Sequence, residues 1–327
     1  MPSPAPPYEL PRLTVSEAVG TVRLMPLISV AATILMILAL AAPTGDASDE
    51  TAEPATPNSV RLMNADFRLP ANTRWREERI MSAPKLKLSV DLGGNKNVRG
   101  TMSLLSRQVL DIDVRTEKDL RLKFVQSDTT SDIDFGKNRN RSTTTLPLDG
   151  KSVLAERVES GRWSAKLDSS RRPTAEEGSA LYGLTYLWAS GVYPDREVEI
   201  GETWKVDAKN FKNLFGSEFK KPAGAFEFSL ARIVDFDGHP CAKITGKGEL
   251  TSQTKSLGST EAGAEETPID AVMDLSIEIY RSIELGMDLS VKMTGTLDLS
   301  NEKDEEALTY KASSPVEFTR TLKKRQP

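Results

Sequence analysis

This chain of 327 residues contains very little of the chemistry that enzymes and metalloproteins commonly use. It has one cysteine, Cys241, and one histidine, His239. A lone cysteine cannot form a disulfide within the chain, so packing must stabilise the fold. Zinc takes three or four nitrogen or sulfur ligands, which these two residues cannot supply. We therefore predict no metal site and no cofactor.

Sequence motifs for nucleotide binding and for nucleophilic catalysis are also missing. No G-x-S-x-G, P-loop or Rossmann glycine pattern occurs where a strand passes into a helix. Lysine and arginine total 43 against 47 aspartates and glutamates, a net charge of −4. This balance argues against a nucleic-acid partner, and the basic residues 323–325 are interpreted as a solvated C-terminal tail. We predict a protein without catalytic residues.

Two small clusters deserve a test as sites. His239 and Cys241 follow the turn Asp237-Gly238, and residues two positions apart on an extended chain can face the same way, as a thiolate–imidazole pair requires. The turn favours instead an exposed hairpin histidine beside a half-buried cysteine. Asp128, Asp132 and Asp134 with Gly136 carry oxygens that suit calcium, but their spacing matches no calcium loop, so we predict a polar loop. Residues 301–306 are predicted to form a solvated hairpin tip.

The longest apolar run lies near the N-terminus. Residues 24–42 are apolar, with Arg23 before them and Asp46, Asp49 and Glu50 after them. This charge pattern predicts that the rest of the chain is exported across the bacterial inner membrane, to the periplasm or cell envelope. Small residues at 39–41 and 45–47 favour a cleaved signal peptide, whereas the length of the run also suits a retained membrane anchor. Translation from Met25 instead of Met1 remains an alternative.

The sequence divides into seven segments by composition and periodicity. We predict an N-terminal extension (1–23), the signal peptide or anchor (24–42), an acidic linker (43–59), an N-terminal strand block (60–172), a helix (173–191), a C-terminal antiparallel meander (192–322) and the basic tail (323–327). Whether the two strand blocks form one domain or two stays open at this point.

The helix of residues 173–191 is the one strong helical pattern after the linker. Thr174 and Glu177 form a capping box behind Pro173, which marks the start of the helix. Leucines and a tryptophan then recur at helical spacing, which makes one side apolar. The ligand-binding residues that we predict lie on this helix: Tyr182, Tyr186 and Trp188. The simpler interpretation is that this side belongs to the core.

Alternation of apolar and polar residues dominates the rest. Its longest example is the run of 13 residues from 287 to 299, which as a strand would be roughly 44 Å long. Long one-sided strands curl, and they bury their apolar side by closing or by wrapping around a helix. We predict a mainly β fold with one main helix, in which a long antiparallel meander forms a curled sheet or incomplete barrel around that helix.

Residues 193–206 resemble a family. The segment Y-P-D-R-E-V-E-I-G-E-T-W-K-V is similar to the P-D-x-P-V-x-V-G-D-S-W-x-V segment of exported, uncharacterised bacterial β-rich proteins, although Glu197 replaces the second proline. The resemblance covers residues 173–322 and implies a late antiparallel meander, with no reaction and no functional residue to transfer. The predicted architecture is also similar in shape to the periplasmic lipoprotein carriers, which implies a hydrophobic ligand.

These observations favour an exported envelope protein that binds a lipid-like or other hydrophobic ligand without catalysis. A membrane-tethered protein-interaction or structural module is the alternative, with an envelope protein as partner and membrane contact through residues 24–42 if they are not cleaved. An uncharacterised hydrolase is the third and least favoured hypothesis.

Overall fold

The long apolar–polar alternations fold into strands, and the structure, a computed structural model, describes residues 58–63, 70–91, 97–136, 138–158, 162–184, 192–211, 220–255, 268–301 and 309–325. The first half of this part contains seven strands: β1 (Ser59–Arg61), β2 (Thr73–Asp91), β3 (Asn97–Val114), β4 (Asp119–Asp134), β5 (Arg139–Thr145), β6 (Ser152–Arg157) and β7 (Trp163–Leu167). Helix α1 (Ala175–Gly183) follows.

The second half continues with seven strands and one 3-10 helix. These are β8 (Glu197–Glu199), β9 (Thr203–Asp207), the 3-10 helix Ala208–Phe211, β10 (Lys220–Phe236), β11 (His239–Lys255), β12 (Pro268–Ser282), β13 (Met287–Asn301) and β14 (Thr309–Lys324). Residues 212–219, which follow the 3-10 helix, lie outside the described part.

Twelve strands form one antiparallel sheet in the order β7-β6-β4-β3-β2-β14-β13-β12-β11-β10-β9, with β5 paired to β4. The last strand, β14, returns to pair with β2, so both strand blocks belong to the same sheet. A separate two-stranded sheet joins β1 to β8. The prediction of a mainly β fold with one main helix and a long antiparallel meander is confirmed, and the sheet is not closed into a barrel.

The hairpin of β10 and β11 shows why such long strands pair in one register. Asp237 and Gly238 both have positive φ, of 53° and 76°, as the tight hairpin turn predicted from the sequence requires. Phe226 lies opposite Gly248 in the register. A Cβ on Gly248 would lie 2.8 Å from the Phe226 ring and 2.3 Å from the Ala225 carbonyl oxygen, so only glycine leaves room for the ring.

Buried apolar side chains form two core clusters. The first core cluster joins β10–β14 with parts of β2 and β3 and with Val60, Val198 and Tyr193 from the smaller elements. The second core cluster lies under the start of β2 and β4, the end of β3, and β6 and β7, and it includes Leu181 and Leu184 of the helix region. Leu181 and Leu184 on the apolar side of the helix region thus belong to the core, which agrees with the simpler of the two interpretations of this helix.

The segment that carries the family resemblance connects the small sheet to the large one. The Arg281 guanidinium donates to the Leu62 and Gly286 carbonyl oxygens and to Asp288 Oδ1, at 2.7, 2.5 and 2.7 Å. Tyr193 donates its hydroxyl to the same Asp288 oxygen at 2.8 Å, and its ring lies 4.2 Å from the Arg281 guanidinium carbon. These residues therefore have a structural role in holding the small sheet in place.

Candidate functional site

The three aromatic residues predicted to bind a ligand are only partly described. Tyr182 lies on α1 and is 64% exposed, so its side chain faces away from the core to which Leu181 belongs. Tyr186 and Trp188 lie outside the described residues. Their role in ligand binding therefore stays a prediction.

Helix α1 begins as the sequence predicts. Glu177 accepts a hydrogen bond from the Thr174 backbone N–H at 2.8 Å and donates its own N–H to Thr174 Oγ1 at 3.2 Å, which completes the capping box. Arg171 and Lys151 lie 2.6 and 2.7 Å from Glu177 Oε1. Hydrogen bonds from Arg171, then from Lys151 and the Thr174 backbone, hold the pKa of Glu177 well below its usual range. The Glu177 carboxylate therefore connects the start of α1 to Lys151, just before β6, and to Arg171, after β7.

The histidine and the cysteine do not form a reactive pair. Cys241 is fully buried in the second core cluster, where burial raises the pKa of its thiol to about 12. The centroid of the His239 ring lies 6.3 Å from that of Trp75. A thiol that remains protonated is a poor nucleophile, so the burial of Cys241 favours the structural interpretation. Cys241 is more buried than the half-buried residue that we predicted, and His239 is half-buried instead of exposed.

The three aspartates of the acidic cluster lie in a strand, not in the polar loop that we predicted. Asp128, Asp132 and Asp134 all lie in β4, where Asp132 accepts a bidentate pair of hydrogen bonds from Arg139 of β5 at 3.0 and 2.6 Å. The sequence signal was misleading because β4 and β5 are held by serine, threonine and charged cross-strand pairs, without apolar alternation in β5. Within the described residues, no group of three histidine, cysteine, aspartate or glutamate side chains is placed to hold a metal ion.

A row of polar side chains, all buried except the half-buried Gln108, lies between the two core clusters. Arg320, Arg79, Gln108 and Ser127 are successive cross-strand partners on β14, β2, β3 and β4. Arg79 Nη1 donates to Gln108 Oε1 at 3.1 Å, and Gln108 Nε2 donates to Ser127 Oγ at 3.1 Å. We call these four residues and Glu77 the polar row.

Glu77 is the charged centre of the polar row. Its two carboxylate oxygens accept hydrogen bonds from Arg79 Nε and from Arg320 Nε, the latter at 2.9 Å. Arg320 Nη2 lies 2.9 Å from Glu77 Oε2 without the alignment of a hydrogen bond. Burial lowers the pKa of Arg79, but arginine keeps its charge in proteins. The interior thus holds two guanidiniums around one carboxylate.

A second polar feature is an open cleft of about 400 Å³ on the opposite, exposed side of β2, β3 and β4. It is lined by Arg74, Trp75, Asp111, Ile112, Asp113, Arg121, Lys123, Ser152 and Arg325, and we call it the basic cleft. Four cations face two carboxylates there. The register explains this, because Asp113 of β3 lies between Arg74 of β2 and Arg121 of β4.

The carboxylates of the basic cleft are not equivalent. Asp111 accepts hydrogen bonds from Arg76 at 2.8 and 3.0 Å and from Arg325 at 2.8 Å. The hydrogen bond from Arg76 and the nearby guanidinium of Arg325 hold the pKa of Asp111 below its usual value. Lys123 Nζ donates to the Gly150 carbonyl oxygen at 2.5 Å, and Arg121 pairs with Asp168 at 2.8 Å.

Sequence reasoning missed both polar features. It interpreted Arg325 as part of a solvated tail, whereas the Arg325 backbone N–H donates to the Arg74 carbonyl oxygen at 2.8 Å and places the tail beside β2. The available signal was the pair of charged residues at inward positions of β2, Glu77 and Arg79, which lie between Trp75 and Met81 on the same side of the strand.

No family model and no curated protein matches this sequence, so the resemblance of residues 193–206 stays a prediction. Among solved structures, lipovitellin covers 79% of this chain at 9% identity with a TM-score of 0.43, and the chain spans 26% of its length. An outer membrane channel from Pseudomonas putida F1 covers 80% of this chain at 8% identity with a TM-score of 0.22, matched over 99% of the channel. A LolA superfamily protein from Nitrosomonas europaea covers 80% of this chain at 8% identity with a TM-score of 0.14, matched over 90% of that protein. Likenesses this weak carry no argument about function.

Proposed function

We propose that this chain is an exported envelope protein that binds a lipid-like or other hydrophobic ligand without transforming it. The observation that carries the proposal is the open antiparallel sheet, whose strands of up to 19 residues present a long apolar side inward. An apolar interior of this extent suits a ligand whose binding is driven by removal of apolar surface from water.

The open edges of the sheet supply a route for such a ligand. A closed barrel can widen only if it breaks backbone hydrogen bonds, whereas the outermost strands β7 and β9 of this sheet are not paired to each other. Both are short, with five residues each. Helix α1 lies beside β7 and contributes Leu181 to the second core cluster. We propose that the ligand binds at this margin, next to Tyr182, and that Tyr186 and Trp188, which lie outside the described residues, also contact it.

The alternative, a membrane-tethered interaction module, also has one observation in its favour. Strand β10 runs to Phe236, but β9 covers only Ala225–Ser229 of its edge, and Gly201 and Glu202 bond Leu230. Among the described residues, no strand pairs with this edge beyond Leu230. An uncovered strand edge offers backbone groups to an added strand from a partner. Charged side chains such as Arg232 on this part of β10 weaken the argument, because charges discourage edge pairing. No observation on the described residues favours the hydrolase hypothesis.

Export and tethering depend on residues 24–42, which lie outside the described part. Among the residues that are described, no helix is long and apolar enough to cross a membrane. We propose export to the periplasm or envelope on the sequence pattern alone. The mass of the mature chain, which shows whether this run is removed, distinguishes a soluble carrier from a tethered protein.

Native mass spectrometry of the full chain purified from its own envelope fraction, with parallel organic extraction, tests the proposal. We expect a co-purifying lipid-sized mass and, after its removal, binding of a fluorescent acyl probe. Trp188→Ala should weaken probe binding, whereas Ile200→Ala, at an exposed apolar residue away from the helix, should not. An empty protein that binds no acyl probe would overturn the proposal.

A further inference from the structure

The basic cleft lies outside the proposed function, on the exposed side of the sheet. Its four cations come from three parts of the sequence: Arg74 on β2, Arg121 and Lys123 on β4, and Arg325 after β14. With Asp111 and Asp113 as the two carboxylates among its lining residues, the cleft carries an excess of two positive charges. The chain as a whole carries a net charge of −4, so this excess is local.

Some of these cations are already neutralised and others are not. Arg325 is bound to Asp111, and Arg121 is bound to Asp168. Arg74 makes no side-chain ion pair with another described residue. Among the described residues, the Lys123 ammonium donates only to the Gly150 carbonyl oxygen. Asp113 lies opposite Arg74 and Arg121 in the register and offsets part of their charge. Arg74 and Lys123 are therefore the two cations with capacity for an anion.

The surface around the cleft extends the positive charge. Lys323 near the end of β14 is exposed, and the register places it opposite Arg76, on the outward side of β2. Lys324 lies opposite the inward-facing Trp75 and therefore takes the other side of the sheet. A compact anion needs only a pair of cations, whereas a further exposed cation beside the cleft, Lys323, suits a surface that carries many charges. Guanidinium and ammonium groups are the side chains that bind phosphate oxygens best.

We propose that the basic cleft binds the phosphate of an anionic lipid head group and so holds this side of the sheet against a membrane surface. Arg74 and Lys123 contact the phosphate oxygens, and Lys323 adds attraction to a neighbouring head group. The proposal does not depend on a ligand in the interior, which lies on the other side of the sheet. Its failure would leave the proposed carrier function untouched.

Flotation with lipid vesicles of two compositions tests this site. One set contains phosphatidylglycerol mixed with phosphatidylcholine, and the other contains phosphatidylcholine alone. The apolar residues 24–42 of the full chain add the same binding to both sets, so the quantity of interest is the ratio between them. We expect a ratio well above one at low salt that falls towards one at high salt, because exposed charges are screened.

The double variant Arg74→Gln/Lys123→Gln should lower this ratio by roughly tenfold or more, given a loss of about fivefold for each cation removed near an anionic surface. The double variant Lys205→Gln/Arg232→Gln is the control, since it removes the same charge from exposed residues of β9 and β10 at the other end of the strand order. Thermal unfolding of each variant checks that the fold is kept.

A calorimetric titration with inorganic phosphate distinguishes a site for the phosphate of a lipid head group from a site for free phosphate. Suppose that inorganic phosphate binds the wild type but not R74Q/K123Q, and that vesicles with phosphatidylglycerol bind the wild type no better than vesicles of phosphatidylcholine alone. The cleft then binds free phosphate, and the lipid assignment is wrong. An equal fall of the vesicle-binding ratio in the cleft variant and in the control variant would show that binding depends only on the net charge of the protein. That result, or the absence of binding in both assays, would overturn the proposed site.

Discussion

Arg79 and Arg320 lie directly opposite each other on β2 and β14, and both buried guanidiniums bind the carboxylate of Glu77. Two like charges at a cross-strand position repel each other, and burial makes each one costly. Glu77 offsets both effects because each of its oxygens accepts a hydrogen bond from one guanidinium. The contact joins residues 243 apart and so connects the first long strand to the last.

Replacement of Glu77 by glutamine should therefore destabilise the protein strongly. The variant leaves two buried guanidiniums without a counter-charge, and loss of one partner in a buried pair costs about 3–5 kcal/mol. Glu78→Gln is the matched control, because Glu78 faces the other side of the strand, where its pair with Arg107 is partly exposed and worth about 1 kcal/mol or less. Urea unfolding measures both. Similar midpoints for the two variants would show that the polar row does not stabilise the fold.

Gly248→Ala should also destabilise the chain, because the new Cβ would lie 2.3 Å from the Ala225 carbonyl oxygen. We expect a loss of about 1–3 kcal/mol, as for other overpacked sites. Gly178→Ala in α1 is the opposite case, since a Cβ there meets no atom within 4 Å and alanine favours the helix by about 0.5–1 kcal/mol. Thermal unfolding should thus shift in opposite directions for the two alanine variants. A shift in the same direction would contradict the packing of the β10–β11 hairpin.

The low pKa of Glu177 makes part of the stability depend on pH. A carboxyl whose pKa is lowered in the folded state stabilises the fold above its unfolded pKa of about 4.3, and that contribution is lost as the pH falls towards the folded pKa. Glutamine keeps the capping geometry but carries no charge. The stability difference between wild type and Glu177→Gln should be greatest near neutral pH and should shrink below about pH 4. Urea unfolding across this range measures it, and a difference that does not change with pH would exclude the ion pairs with Arg171 and Lys151 as its cause.

Cys241 should resist thiol reagents in the folded protein. Its side chain is fully buried and its pKa is raised to about 12, so neither access nor thiolate is available near neutral pH. We expect a disulfide reagent to label the native chain slowly and the urea-unfolded chain at once. Rapid labelling without denaturant would mean that the second core cluster opens in the native state.

The sequence allowed the strands and the start of the helix to be predicted because both rest on local chemistry. Alternation in residues 287–299 identified β13, and Thr174 with Glu177 identified the first turn of α1. The same rule missed β5, whose seven residues are all exposed, and misread the aspartates of β4 as a loop. Strands held by polar cross-strand pairs leave no apolar alternation in the sequence.

By itself, the sequence determined the class of this protein: one-sided antiparallel strands, one capped helix, and too few cysteine and histidine residues for a zinc site. Only the tertiary structure decided which strands became neighbours. Period-two alternation tells which face a residue takes, but it says nothing about which distant strand pairs with it. The pairing of β2 with β14 brought Arg320 to Arg79 inside the fold and Arg325 to Arg74 outside it, and so created both the polar row and the basic cleft.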